Sequence, residues 1–150
     1  MTDGTPCLFN LPPQSGRTKL AIHRQNPASG AVSDEFAFDL SSPITFGNVY
    51  TVTFYAISDP YIDPDIGAVD IGLSSSPTAF GTSVFAGTPS TSAWTLLTNT
   101  FVAPVNAAYL TVRVVPGVQA WIHIDNFSLI AGGPTPVADG TWGRLKTLYR

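Results

Sequence analysis

Apolar and polar positions alternate along this chain in short blocks, and no helical period longer than two turns interrupts them before residue 140. In the block 49–58, VYTVTFYAIS, Tyr50, Val52, Phe54 and Ala56 share one face while Val49, Thr51, Thr53, Tyr55 and Ile57 share the other. The first set reads as core. Phe36, Phe38 and Leu40 likewise alternate with Glu35, Ala37 and Asp39, as expected of a strand with one wet side. Strands are predicted over 19–25, 34–42, 49–58, 68–75, 93–103, 107–115 and 120–130, with a further short one around 80–85. Turn signals separate them, among them Pro27 to Gly30, Phe46-Gly47-Asn48, Pro104-Val105-Asn106 and Pro116-Gly117. Short strands with a turn every dozen residues predict an all-β, antiparallel β-sandwich, with the jelly roll as its closely related form. The expected division is a sandwich over 1–131, a linker over 132–140 (AGGPTPVADG begins at Ala131) and a tail over 141–150. In that tail Trp142, Leu145 and Leu148 or Tyr149 would line one face of a short helix.

The block 120–130, AWIHIDNFSLI, breaks the alternation. Ile122 and Ile124 look like core before Asp125, whereas Phe127 and Leu129 look like core after it. One extra residue flips which face is buried, so a β-bulge near Asp125 reconciles the halves. On this reading His123 faces solvent beside Trp121 and has no nucleophile or base near it in sequence.

Composition agrees with a strand-rich domain. Hydrophobic residues make up 44% and charged residues 11%, and Gly and Pro number 13 each. Glu35 is the sole glutamate, and the other acids are aspartates, which favour turns. The net charge of −3 comes without a basic stripe, which excludes nucleic acid as a partner for the body of the chain. One cysteine and two distant histidines make a poor zinc set, and no segment is long and apolar enough to span a membrane. Nothing at the start resembles a signal peptide. Catalytic patterns are missing too: a lone glutamate with loop aspartates is a poor pair for glycoside hydrolysis, and neither a Gly-x-Ser-x-Gly elbow nor a phosphate-cradling glycine loop occurs. A non-enzyme is expected.

The order of four segments carries a family resemblance. GTPCLFNLPPQSGRTKLAI, DEFAFDLSSPITFGNVYTVTFYA, SAWTLLTNTFVAPVNAAYLTVRV and IHIDNFSLI together resemble the jelly-roll carbohydrate-binding modules of secreted bacterial proteins, over Gly4 to Ile130. The resemblance implies a non-catalytic module in an extracellular or cell-surface setting. It also implies a structural calcium ion with Asp125 among its ligands. The acidic end of the family's first strand, which would also face the ion, has no counterpart ahead of Gly4.

Sugar binding uses flat aromatic faces against the apolar side of the ring, with a few polar groups for orientation. Tyr55, Tyr61, Trp94 and Trp121 are the candidates, Tyr55 and Trp121 foremost because strand parity turns them away from the core. The stretch SDPYIDPDIGAVD, with Asp59, Asp63, Asp65 and Asp70, is oxygen-rich but reads as a solvated turn rather than an ion site. Two functions stand. One is a carbohydrate-binding or adhesive module whose partner is a polysaccharide or glycan. The alternative is a self-assembling structural subunit of a surface layer or filament, whose partners are copies of itself joined through an exposed strand edge. The tail, Trp142 to Arg150, is a further candidate for docking on a partner.

Overall fold

Alternating β-branched and aromatic residues build eight strands and no helix in a computed structural model that describes residues 11–24, 34–59 and 65–132. The strands are β1 (Leu20–Arg24), β2 (Glu35–Ile44), β3 (Val49–Ser58), β4 (Val69–Ser74), β5 (Thr82–Gly87), β6 (Thr95–Val102), β7 (Ala107–Val114) and β8 (Ala120–Ala131). Their antiparallel ladders nest: β1 pairs β8, β2 pairs β7, β3 pairs β6 and β4 pairs β5. The chain is thus one long hairpin, and rolling it up adds the pairs β3 with β8 and β4 with β7. The product is two four-stranded sheets, sheet A in the order β1-β8-β3-β6 and sheet B in the order β2-β7-β4-β5. This is jelly-roll winding of an antiparallel sandwich.

The space between the sheets holds Tyr50, Val52, Phe54, Ala56, Ile122 and Ile124, which alternation assigned to it, and further apolar residues from both sheets. Ile22, Tyr50, Val52, Phe54, Ala56, Ile122 and Ile124 come from sheet A; Ile44, Val69, Ile71, Leu73, Leu110, Val112 and Val114 come from sheet B. Phe54 stacks on Phe127 at 5.3 Å and meets Phe85 edge-on at 6.0 Å, while Phe127 also stacks on Phe38 at 5.6 Å. Phe36, expected in the core, sits at its rim and is 36% exposed, because β2 is the edge of sheet B.

Two departures from the expected strands have local causes. The short strand expected at 80–85 runs over Thr82–Gly87, because Gly81 takes φ +77° in the turn that precedes it, with its Cα so near the Leu73 carbonyl that a Cβ would lie 2.0 Å from that oxygen. Phe80 then folds back over the outer face of sheet B, where its carbonyl accepts the Thr111 hydroxyl at 2.5 Å and the Arg113 guanidinium lies 3.5 Å from its ring centre. The strand expected from residue 93 starts at Thr95, because Ser90 and Ser92 form a hydroxyl turn and the Ser90 N–H donates to Thr95 Oγ1 at 2.9 Å.

The bulge in β8 is present. Thr53 faces Ser128 and Tyr55 faces Asp125, so two steps along β3 match three along β8. Asn126, at φ 52°, absorbs the extra residue in the left-handed region that asparagine tolerates. Ile122 and Ile124 therefore point inward on one side of it and Phe127 and Leu129 on the other. The expected linker and tail, 132–140 and 141–150, lie outside the described residues apart from Gly132.

Candidate functional site

With the inward residues assigned, pairing register fixes what the outer face of sheet A presents. β3 contributes Val49, Thr51, Thr53, Tyr55 and Ile57; β6 contributes Val102, Thr100, Thr98 and Leu96 opposite the first four of these. β8 contributes Trp121, His123 and Asp125, then Ser128 and Ile130 beyond the bulge, and β1 contributes Ala21 and His23. Tyr55 is half-buried in the row Asp125–Tyr55–Leu96, and Leu96 is 52% exposed. Below that row a hydroxyl ladder crosses the sheet, with Thr51 bonded to Thr100 at 2.8 Å and the Thr98 hydroxyl donating to Thr53 at 3.4 Å. Trp94, also half-buried, precedes β6 by one residue and continues the alternation of Leu96. At the far end the half-buried Trp121 lies 4.7 Å from His23, ring centre to ring centre, tilted by 31°. Tyr55 and Trp121 stand roughly 14 Å apart along this face, by strand rise and spacing.

A segment from the other end of the chain crosses part of that face. Residues 11–19 run over β8, where the Ser15 N–H donates to Asp125 Oδ2 at 3.1 Å and the Ser15 hydroxyl donates to Asn126 Oδ1 at 2.6 Å. The Asn126 side-chain amide donates to Gln14 Oε1, and Lys19 Nζ donates to the Leu11 carbonyl at 2.7 Å, closing the segment on itself. The expectation for His123 is corrected here. Strand parity does turn it outward, but it is 1% exposed, with no hydrogen-bond partner for either ring nitrogen. Burial, and secondarily the positive charge of Lys19, lower its pKa from 6.5 to about 4, so it is neutral at pH 7.

Asp125 is fully buried beneath the same strap, and its second oxygen accepts the Asn126 N–H at 2.8 Å. These surroundings do not fit the calcium site that the resemblance implied. Calcium takes six to eight oxygen ligands, whereas here N–H donors point at both carboxylate oxygens, and among the described residues no three His, Cys, Asp or Glu side chains come together. The acidic stretch disperses as well. Asp59 is buried and its N–H donates to the Trp121 carbonyl at 2.8 Å. Asp65 accepts the Gln119 N–H at 2.8 Å. Asp70 is buried in β4, 3.1 Å from Arg113 Nε and 2.5 Å from the Ser83 hydroxyl.

Of the four aromatic candidates, the fold brings Tyr55, Trp94 and Trp121 to one face; Tyr61 and Asp63 lie outside the described residues. Sequence reasoning missed Leu96, because two adjacent leucines leave open which one faces out, and it missed the strap residues Gln14 and Ser15. A recess of about 130 Å³ on sheet B, between Glu35–Ala37 and Pro77–Phe80, is smaller than the few hundred Å³ that ligand pockets usually take.

No protein-family model matches the sequence, and no curated protein matches it either. Among solved structures, a CBM4 carbohydrate-binding module aligns with a TM-score of 0.54 and 17% identity, over 76% of this chain and 84% of that one. The CBM22-1–GH10 modules of the Clostridium thermocellum endo-1,4-β-D-xylanase 10B, solved with xylohexaose, align with a TM-score of 0.37 and 14% identity, over 65% of this chain and 19% of that one. The first alignment and the strand order agree: this chain has a β-sandwich fold like that of a carbohydrate-binding module.

Proposed function

We propose that the protein is a non-catalytic carbohydrate-binding module that takes a glycan on the outer face of sheet A, along β3 and β6. The observation that carries this reading is the placement of Tyr55, Trp94 and Trp121, all half-buried, on one face with the exposed Leu96. A half-buried aromatic is held by its neighbours yet keeps a ring surface available to the apolar side of a sugar, which avoids the entropy cost of ordering a mobile one. Thr53, Thr98 and Thr100 supply hydroxyls beside the rings, a chemistry suited to a neutral polysaccharide. An extracellular or cell-surface setting, adhesion included, goes with such a ligand. In affinity electrophoresis against a panel of neutral polysaccharides, at least one should retard the parent, and a Tyr55→Ala, Trp121→Ala double variant should migrate freely. Retention of binding by the folded double variant would overturn the site.

A second reading, self-assembly, draws on the edge of sheet A. β6 ends the sheet among the described strands, and Val49, Leu96 and Val102 on the outer face there are 37%, 52% and 61% exposed. An edge of this kind accepts an added strand from another copy. Light scattering over a concentration series separates the two readings: growth with concentration supports assembly, and a monomer throughout removes it. Deletion of Trp142 to Arg150 in the same series tests the tail as a docking segment.

A further inference from the structure

We infer that the bulge residues Asp125 and Asn126 form a metal-independent clasp that fastens the 11–19 segment to sheet A, in place of the calcium bridge that the resemblance implied. The clasp follows from the bulge. At φ 52° Asn126 leaves the strand's alternation, which turns its N–H onto Asp125 Oδ1 at 2.8 Å and brings its side chain to the strap. Asn126 Oδ1 then accepts the Ser15 hydroxyl at 2.6 Å while its amide donates to Gln14 Oε1. Asp125 Oδ2 takes the Ser15 N–H at 3.1 Å. Asn126 thus uses both ends of its amide and Asp125 both of its oxygens, joining positions more than a hundred residues apart.

These donors also argue against an ion. The hydrogens of the Ser15 and Asn126 N–H groups lie against the carboxylate oxygens, where a cation would need to approach. The hydrogen bonds supply the positive partner that Asp125 requires in its fully buried position. His123, two residues from Asp125 on the same outer face of β8, is 1% exposed, and its exposure to reagent reports on the covering of that face.

The test is amide hydrogen exchange on the whole chain, with and without excess EGTA or millimolar calcium, in the parent and in Asn126→Gly. Glycine suits the positive φ, so this variant keeps the bulge and loses only the side-chain bonds; Asp125→Ala serves as a harsher companion. The expected result is an increase of about tenfold or more in Ser15 amide exchange in Asn126→Gly, with greater modification of His123 by an imidazole reagent. EGTA or calcium should change neither readout, and should move the parent Tm by less than about 1 °C. If chelation alone speeds Ser15 exchange, or calcium raises Tm by several degrees, an ion holds the strap and the inference fails. It fails equally if Asn126→Gly exchanges like the parent. None of these outcomes depends on glycan binding.

Discussion

Acidification should destabilise this protein through His123 before its carboxylates protonate. The imidazole is 1% exposed with neither ring nitrogen hydrogen-bonded, and its pKa is lowered from 6.5 to about 4 by burial and by Lys19. Between those two values the unfolded chain carries a proton that the folded chain does not, so unfolding takes up a proton and stability falls as pH drops through the window. Above pH 6.5 the contribution is fully present, and below about 4 it is lost. At about 1.4 kcal/mol per pKa unit, the loss between pH 7 and pH 4 is no more than about 3 kcal/mol, a large share of an ordinary domain's stability. Lys19 opposes protonation, and the Asp125 carboxylate two residues along the same face is occupied by the Ser15 and Asn126 N–H groups. The assay is denaturant unfolding at intervals from pH 7.5 to 4, in the parent and in His123→Phe, which keeps a ring of similar size and removes the titrating group. Carboxylates contribute alike to both proteins, so the difference isolates His123. Equal slopes for the two, or an NMR titration of His123 with a midpoint near 6.5, would refute the reasoning.

Other perturbations follow from the packing. Phe54→Ala removes the ring that stacks on Phe127 and meets Phe85 edge-on, and should cost about 3–5 kcal/mol in urea unfolding. Arg113→Met leaves the buried Asp70 without its partner at 3.1 Å and strips the cation from the Phe80 ring; a loss of about 3 kcal/mol is expected at pH 7, with Asp70→Asn in the same background recovering part of it. Gly81→Ala forces a Cβ to within 2.0 Å of the Leu73 carbonyl at a φ of +77°, and should lower Tm by several degrees, whereas Gly117→Ala, with nothing within 4 Å of its Cβ, meets only the backbone penalty of its positive φ.

Much of the sandwich was legible because burial on one side imposes a period of two. Where that held without interruption, as in Val49–Ser58, strand ends and inward residues both read correctly. Even the bulge announced itself, since a swap of the apolar side within AWIHIDNFSLI has few other physical causes. The covering of β8 did not. Asp125 is bonded to Ser15, over a hundred positions earlier, and no local pattern encodes that a strap will cross a given strand or that His123 beside it is buried. Asn126 carried a trace of it: an asparagine at the swap point suits a left-handed residue, but its bonds to Gln14 and Ser15 depend on the rolled topology. The aromatic face was half legible. Parity picked out Tyr55 and Trp121 foremost, whereas Trp94, one residue before β6, lay outside any reliable alternation because the hydroxyl turn at Ser90 and Ser92 precedes it.

The most direct test of the account is glycan binding by variants that leave the sandwich intact. Tyr55→Ala and Trp94→Ala should each keep the parent's circular dichroism spectrum, with Tm lowered by a few degrees at most, because both side chains lie outside the space between the sheets. In calorimetric titration with the polysaccharide that retards the parent, each single variant should weaken binding at least about tenfold, as expected for an aromatic anchor, and the pair should abolish it. Parent-like affinity in the folded double variant, or no binding of any glycan by the parent itself, would contradict the account.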